Sequence, residues 1–268
     1  MNFLYDLPNW LMGVTVVGAC LIVTLASYFI FKKVVRQEFS ESQISAAMGL
    51  VGVIATITSL LLAFSAVSVW EAFNSAETSV INEANAGAML ARDLAAYGGP
   101  ATLKTRASVK EYGRIVVDEE WPLMSKREIS TNAWNQIEAI FHDAALIEPK
   151  TEREKVLLQE IWTRLNELAK HRRERIHNSQ AEVPETLWVV VLLGSALTFL
   201  FTFVLPVNRF NVGLISGLAC ALGLVFFFIL AMDHPFAGKE SISHAPFDSM
   251  IRNMDRWDAN EARAKTTP

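Results

Sequence analysis

The chain has 268 residues, 51% of them hydrophobic, and a formal net charge of -4. These totals alone would fit one large soluble domain. The distribution of charge excludes it, because charged side chains are almost absent from residues 10–31, 44–70, 187–207 and 212–232. Each window is long enough to cross a bilayer as a helix, so we predict an integral membrane protein with the lipid bilayer as a partner. The modest charge gives no indication of a nucleic-acid partner.

The predicted fold class is an all-α membrane protein with four transmembrane helices and an α-helical extramembrane bundle inserted between spans two and three. Short polar connections make each pair of spans an antiparallel hairpin, and prolines divide the region between the pairs into helices. The tail after span four carries a short amphipathic helix that ends near Ala259, on the membrane surface or against the bundle. The predicted segments are the hairpin at 1–70, the bundle at 71–183, the hairpin at 184–233 and the tail at 234–268.

One uninterrupted helix is predicted from Ser45 to Gly98, since no proline lies within it. At about 1.5 Å per residue it would be roughly 80 Å long, well beyond the roughly 30 Å of bilayer hydrocarbon. Small side chains recur along its membrane part at heptad spacing. This small-residue seam consists of Ser45, Gly49, Gly52, Thr56, Ser59, Ala63 and Ala66.

Two interpretations of the seam stay open. Small residues on membrane helices permit close helix packing. They could also line a pore, in which Thr56 and Ser59 would offer hydroxyl groups to a partly dehydrated ion. No carboxylate lies at lipid depth in this span, so a carboxylate ring selecting cations is not expected there.

No catalytic constellation, phosphate loop or metal-ligand spacing is present, so we expect no enzymatic activity, no metal and no cofactor. The acidic run Asp118–Glu120 is interpreted as a solvated helix end, because it lacks the spacing of an EF-hand. The basic run His171–Arg175 could hold anionic lipid, line an anion vestibule or form ion pairs within the bundle, and we favour the last. Asp233, at the edge of span four, is interpreted as an interfacial group that caps a helix end.

Several short motifs resemble the bestrophin-like family of bacterial and plant membrane proteins. They extend over residues 44–240 and include 62–65, 165–168 and Pro184 with Trp188. The other motif residues are Trp70, Glu77, Glu120, Trp121, Pro122, Arg172, Arg173, Asp233, Pro235, Phe236 and Gly238.

The resemblance implies an oligomeric ion channel for small anions. In it, the second span would line the pore and continue into the bundle, with roughly four or five copies around the axis. The bestrophins, to which this family is distantly similar, are pentameric Ca²⁺-gated anion channels. Ca²⁺ gating is not carried over, because the Asp118–Glu120 run is too short to match their calcium site.

Two other functions are considered: a non-conducting membrane scaffold or sensor whose bundle recruits a partner, and a proton-conducting stator-like subunit. The latter would need an ionisable group deep in the bilayer, and only Asp233 comes near. We expect the bacterial inner membrane. Positive charges near the two membrane faces are almost balanced, so the cytoplasmic placement of the bundle follows from the resemblance.

Overall fold

The computed structural model describes residue 5, residues 7–239 and residues 241–266, with the backbone alone at 261, 262 and 264–266. All regular structure within these residues is helical, which confirms the predicted all-α class. The helices are α1 Asn9–Val34, α2 Glu41–Tyr97, α3 Pro100–Ile115, α4 Trp121–Met124, α5 Thr131–Ala145, α6 Glu152–Ser179, α7 Glu185–Thr202, α8 Arg209–Met232 and α9 Ala245–Thr266, with a π-helical turn at Val116–Glu120.

The chain forms two compact units. The first contains the described residues up to Phe73, together with Glu182–His234 and residues 238–239. The second contains Asn74–Ala181, Pro235–Ala237 and the described residues from Ser241 onward. Helix α2 therefore contributes its N-terminal part to the first unit and its C-terminal part to the second.

Four helices, α1, α2, α7 and α8, are long and apolar enough to cross a membrane by length and composition. Many of their large apolar side chains stay exposed in the single chain, for example Ile22 at 68% and Phe210 at 73%. Water would make such exposure unfavourable, whereas lipid would not. The predicted set of four spans is confirmed, and the chain is an integral membrane protein.

Span three differs from its predicted bounds of 187–207, because α7 ends at Thr202. Pro206 contributes to the early end, because it has no N–H to donate to the Thr202 carbonyl and it disfavours the helical conformation of Leu205. The next helix starts at once: the Asn208 side chain accepts a hydrogen bond from the Asn211 backbone N–H at 2.7 Å and caps α8.

The first unit holds two apolar clusters. In one, Val16 of α1 packs with Leu62 of α2 and Phe226 of α8. In the other, Tyr28, Phe203 and Ile215 pack together. The Tyr28 hydroxyl donates to the Leu205 carbonyl at 3.0 Å, which ties the end of α1 to the α7–α8 connection.

The second unit is built from the C-terminal part of α2 with α3, α5, α6 and α9. Gly98 and Gly99, at φ 79° and 96°, end α2, and Pro100 begins α3 at its first position. Thr151 begins α6 with a capping box formed with Glu154. The buried apolar core includes Val80, Leu90, Leu94, Val109, Ile140, Ile161, Leu165 and Leu168.

The C-terminal helix α9 is longer than predicted, because it continues past Ala259 to Thr266. Phe247, Met250 and Met254 are each at most 2% exposed. They form an apolar face of α9 that is buried within the second unit, so contacts with the rest of that unit support the helix.

Candidate functional site

One face of α2 in the first unit is used for packing within the chain. Thr58, Leu62, Ser65 and Val69 are all buried on it. Leu62 and Val69 belong to the apolar cluster shared with α7 and α8. Thr58 approaches Gly194 of α7 so closely that a side chain at that glycine would collide with it.

Except for Ala66, which packs against this apolar cluster, the small-residue seam lies outside the packed face. Ser45, Gly49, Gly52, Thr56, Ser59 and Ala63 are exposed and Ala66 is half-buried. A Cβ atom added to Gly49 or Gly52 would meet nothing within 4 Å. Among the described residues, the glycines of the seam therefore have no packing partner, and close packing within one chain does not explain them.

The two hydroxyl groups of the seam donate to their own helix. Thr56 Oγ1 donates to the Gly52 carbonyl at 2.7 Å, and Ser59 Oγ donates to the Thr56 carbonyl at 3.0 Å. Because these protons are engaged, the oxygen lone pairs are the groups left for an outside partner. A bound anion would require each hydroxyl to rotate and donate to it instead.

A third face of α2 carries large apolar side chains at the same heptad spacing. All are exposed in the single chain, by 44–61%. This apolar stripe consists of Leu50, Val53, Ile57, Leu60, Phe64 and Val67. The membrane part of α2 therefore presents two different surfaces outside the chain, one small and partly polar and one bulky and apolar.

The second unit contains a buried charge cluster made of Glu83, Tyr112, Glu120, Arg172 and Arg175. The two carboxyl groups, the Tyr112 side chain and Arg175 are fully buried, and Arg172 is 2% exposed. Arg175 donates from Nε to Glu83 Oε2 at 2.7 Å and from Nη2 to Glu120 Oε2 at 2.6 Å. Arg172 Nη2 donates to Glu120 Oε1 at 2.6 Å. The Tyr112 hydroxyl donates to Glu83 Oε1.

Two members of the cluster, Arg175 and Tyr112, have pKa values that are shifted upward. Burial alone would lower the pKa of the Arg175 guanidinium, but the carboxylates of Glu83 and Glu120 raise that pKa well above its ordinary value. Burial and the Glu83 carboxylate raise the pKa of Tyr112 well above its ordinary value, so its hydroxyl stays protonated and donates. Two carboxylates balance two guanidinium groups, and the cluster links α2, α3, α6 and the π-helical turn.

The π-helical turn places Glu120 in this cluster. The Trp121 N–H donates to the Val116 carbonyl five residues back, which defines the wide turn. Pro122 follows, and in a regular α-helix its ring would collide with the carbonyl of Asp118. The interpretation of Asp118–Glu120 as a solvated end is wrong for Glu120, which is fully buried, whereas Asp118 and Glu119 are exposed.

The basic run His171–Arg175 also contains both buried and exposed residues. Arg172 and Arg175 form the buried ion pairs described above, while Arg173 is exposed. No group of three or more His, Cys, Asp or Glu side chains in the described part of the chain could hold a metal ion.

Two aromatic motif residues meet in the second unit. Trp121 packs edge-on against Phe236 with 5.4 Å between ring centroids, and its Nε1 donates to the Ile242 carbonyl at 3.3 Å. The Pro235 carbonyl accepts from the Ile242 N–H at 2.8 Å. The Arg175 guanidinium lies 5.9 Å from the Trp121 ring centroid, so Trp121 also covers the charge cluster.

The remaining motif residues lie apart from the cluster. Trp70 is half-exposed and stacks on Phe228 at 6.5 Å, and Glu77 is exposed. Asp233 Oδ1 accepts from the Val183 N–H at 3.0 Å and joins the chain entering α7 to the end of α8. Gly238, at φ 83°, lies where an added Cβ would be 3.3 Å from the Tyr5 carbonyl.

The sequence interpretation missed Glu83 and Tyr112, and it named Arg175 only as one member of the basic run at 171–175. For two of them, Glu83 and Arg175, the heptad pattern of the sequence contains a signal of burial. Glu83 lies at heptad spacing between Val80 and Leu90, which are both buried. Arg175 likewise lies seven residues after the buried Leu168. A charged residue at a core position of an apolar heptad pattern indicates a buried ion pair. The pattern on one helix does not identify the partner on another.

Comparison with known proteins agrees with the motifs. A family model described as Bestrophin-like domain matches residues 18–247, which is most of the chain. A solved crystal structure, described as that of a membrane protein with one proline-to-alanine substitution, superimposes with a TM-score of 0.62 and 11% sequence identity, covering 90% of this chain and 97% of that one. At this identity the similarity concerns the fold alone. No curated protein sequence matches the chain.

Proposed function

This chain belongs to the bestrophin-like family, and we propose that it is an oligomeric ion channel in which α2 lines a central pore. One observation carries the proposal: the small-residue seam from Ser45 to Ala63 is exposed along the membrane part of α2, while another face of the same helix packs within the chain. A ring of roughly four or five copies would enclose a pore between subunits. The small side chains of the seam would leave room for an ion along its axis.

The apolar stripe of α2 supports this arrangement, since its large side chains need a partner other than water. We assign the stripe to lipid and to helices of neighbouring copies. Phe64 and Leu60 belong to it, with exposures of 61% and 56%. The seam, with its hydroxyl oxygens, is the better of the two surfaces for a hydrated or partly hydrated ion.

The transported species is a small inorganic ion, and we propose anions. Thr56 and Ser59 each have one proton that could be turned from a backbone carbonyl to a bound chloride. No carboxylate lies along the membrane part of the seam to oppose an anion. In the present rotamers the two hydroxyl groups offer lone pairs, which would suit a cation. The relative flux of chloride and potassium therefore decides whether the transported ion is an anion or a cation.

The test is ion flux from proteoliposomes containing the purified full-length protein. We expect chloride flux that Thr56→Leu abolishes without changing the mass of the oligomer, because a leucine on the seam would obstruct the pore. Thr15→Leu on α1 is the matched control. Thr15 is also exposed, and it also donates to the carbonyl four residues back, at 2.7 Å. The control should conduct as the unchanged protein does.

Two outcomes would contradict the channel. Protein that passes neither chloride nor small cations, across pH and Ca²⁺ concentrations, does not conduct. A mass in mild detergent of one or two chains would leave no ring to enclose a pore. Both results together would favour the scaffold or sensor, in which the second unit recruits a soluble partner.

The stator-like alternative depends on Asp233. Its Oδ1 accepts a hydrogen bond from the Val183 backbone N–H, and its Oδ2 lies 3.4 Å from His234 Nδ1, so the carboxylate joins the chain entering α7 to the end of α8. Asp233→Asn retains an oxygen acceptor for that N–H. Flux should therefore persist in this variant, whereas its loss would support proton transfer through Asp233.

A further inference from the structure

The second unit contains a cavity of about 300 Å³ between α5 and α6. This α5–α6 cavity is lined on its apolar side by the rings of Trp134 and Phe141. On its polar side lie Glu138, Asn166, Arg172 and Arg173. Its volume is at the lower end of the range for small-molecule sites in proteins.

The aromatic wall is incompletely covered. Trp134 is 45% exposed, and the Arg172 guanidinium lies 5.3 Å from its ring centroid. Phe141 is held by Trp162, with 6.0 Å between the ring centroids. A flat apolar group in the cavity would remove part of the Trp134 ring from water, which is favourable in proportion to the area buried.

Hydrogen-bond donors exceed acceptors on the polar side. Arg172 is almost fully buried and uses Nη2 for Glu120, while its Nε has no hydrogen-bond partner among the described residues. Within the same part of the chain, neither Arg173 nor Asn166 makes a side-chain hydrogen bond or ion pair. Glu138 is the one carboxylate in the lining, and it is exposed.

We propose that the α5–α6 cavity binds a small organic carboxylate with a flat apolar body. The carboxylate would accept hydrogen bonds from Arg173 and Asn166, since a guanidinium group matches the geometry of a carboxylate. The apolar body would lie against Trp134 and Phe141. Glu138 would oppose a second negative charge, so monocarboxylates are preferred to dicarboxylates.

The Arg172 side chain belongs both to the α5–α6 cavity and to the charge cluster. Arg172 lines the cavity and also pairs with Glu120, which pairs in turn with Arg175. Because the cavity exists only in the folded second unit, a bound carboxylate would raise the free energy of unfolding of that unit. Binding does not depend on conduction, so this inference can fail or hold independently of the proposed channel.

The experiment is isothermal titration of benzoate into the full-length protein in detergent, with benzamide as the neutral probe of the same shape. We expect saturable binding of benzoate and no binding of benzamide. Arg173→Gln should weaken benzoate at least about tenfold, the usual effect of losing one charge-assisted hydrogen bond. Trp134→Ala should weaken it as well.

The matched control is Arg153→Gln, which removes an exposed arginine from the same helix, outside the cavity lining. It should bind benzoate like the unchanged protein. Arg173 and Trp134 are both substantially exposed, so their variants should fold, and the unfolding temperature without ligand checks this. The inference is overturned if folded protein shows no saturable benzoate binding, if benzamide binds equally well, or if Arg153→Gln and Arg173→Gln have the same effect.

Discussion

The guanidinium group of Arg175 contacts several buried side chains of the second unit at once. Its nitrogens donate to Glu83, to Glu120 and to the Met124 sulfur, and the ring centroid of Phe247 lies 5.7 Å from Cζ. A planar fork with five donor protons can satisfy these acceptors at once. Each member of such a buried network is needed for stability, because removing one partner leaves a buried charge unpaired.

Arg175→Lys should therefore destabilise the protein although it keeps the positive charge. A lysine cannot bond both carboxylates with the same geometry, and we expect a loss of about 3 kcal/mol of unfolding free energy. The measurement is the unfolding midpoint in detergent, followed by circular dichroism. Arg153→Lys, at an exposed position of the same helix, should leave the midpoint unchanged. Equal midpoints for the two variants would mean that the cluster does not support the fold.

At the scale of elements, α9 packs closely because two glycines make room for it. A Cβ on Gly87 would lie 2.6 Å from the Met250 sulfur, and a Cβ on Gly113 would overlap the methyl group of Met250. Met250 is 2% exposed, so it fills this space completely. Because Gly87 of α2 and Gly113 of α3 have no side chains, the apolar face of α9 fits against these two helices.

Gly113→Leu should release α9 from the second unit. The larger side chain would meet Met250 and Ile251 and cost about 3 kcal/mol of packing energy. Limited trypsin digestion reports the release, because Arg252 and Arg256 would become easier to cleave. Ala107→Leu places the same side chain at an exposed site on α3 and should leave cleavage unchanged. A resistant Gly113→Leu protein would show that the contact tolerates the leucine by local repacking.

At the scale of the whole molecule, the orientation of the protein in the membrane can be predicted and tested. With four spans, we expect residues 71–183 to lie on the same side of the membrane as the segments before α1 and after α8. Lys32, Lys33, Arg36 and Arg209 lie near the opposite side, and comparable positive charge flanks the second unit. Positive-charge counting does not separate the two orientations, and the family resemblance leads us to propose a cytoplasmic second unit.

A reporter fused after Lys126 tests this orientation. Lys126 is exposed in the turn after α4, so the fusion joins at an accessible point. We expect a reporter that works only in the cytoplasm to be active and a periplasmic phosphatase to be inactive. The same phosphatase fused after Arg36, in the first connection, should be active. The reverse pattern would place the second unit in the periplasm.

The sequence by itself determined the helical class, the four spans and the family. These follow from local properties: runs of apolar residues longer than the bilayer is thick, proline positions, and short motifs in a fixed order. It also predicted that one helix would continue through residues 45–98, because nothing in that stretch interrupts a helix.

Only the tertiary structure decided which faces of α2 are covered. Heptad spacing occurs on its packed face, on the small-residue seam and on the apolar stripe alike, so periodicity could not distinguish them. The pairing of Glu83 with Arg175, 92 residues apart, and the α5–α6 cavity likewise depend on how helices pack. A helical pattern states which side chains share a face of one helix, while their partners are set by the three-dimensional contacts between helices.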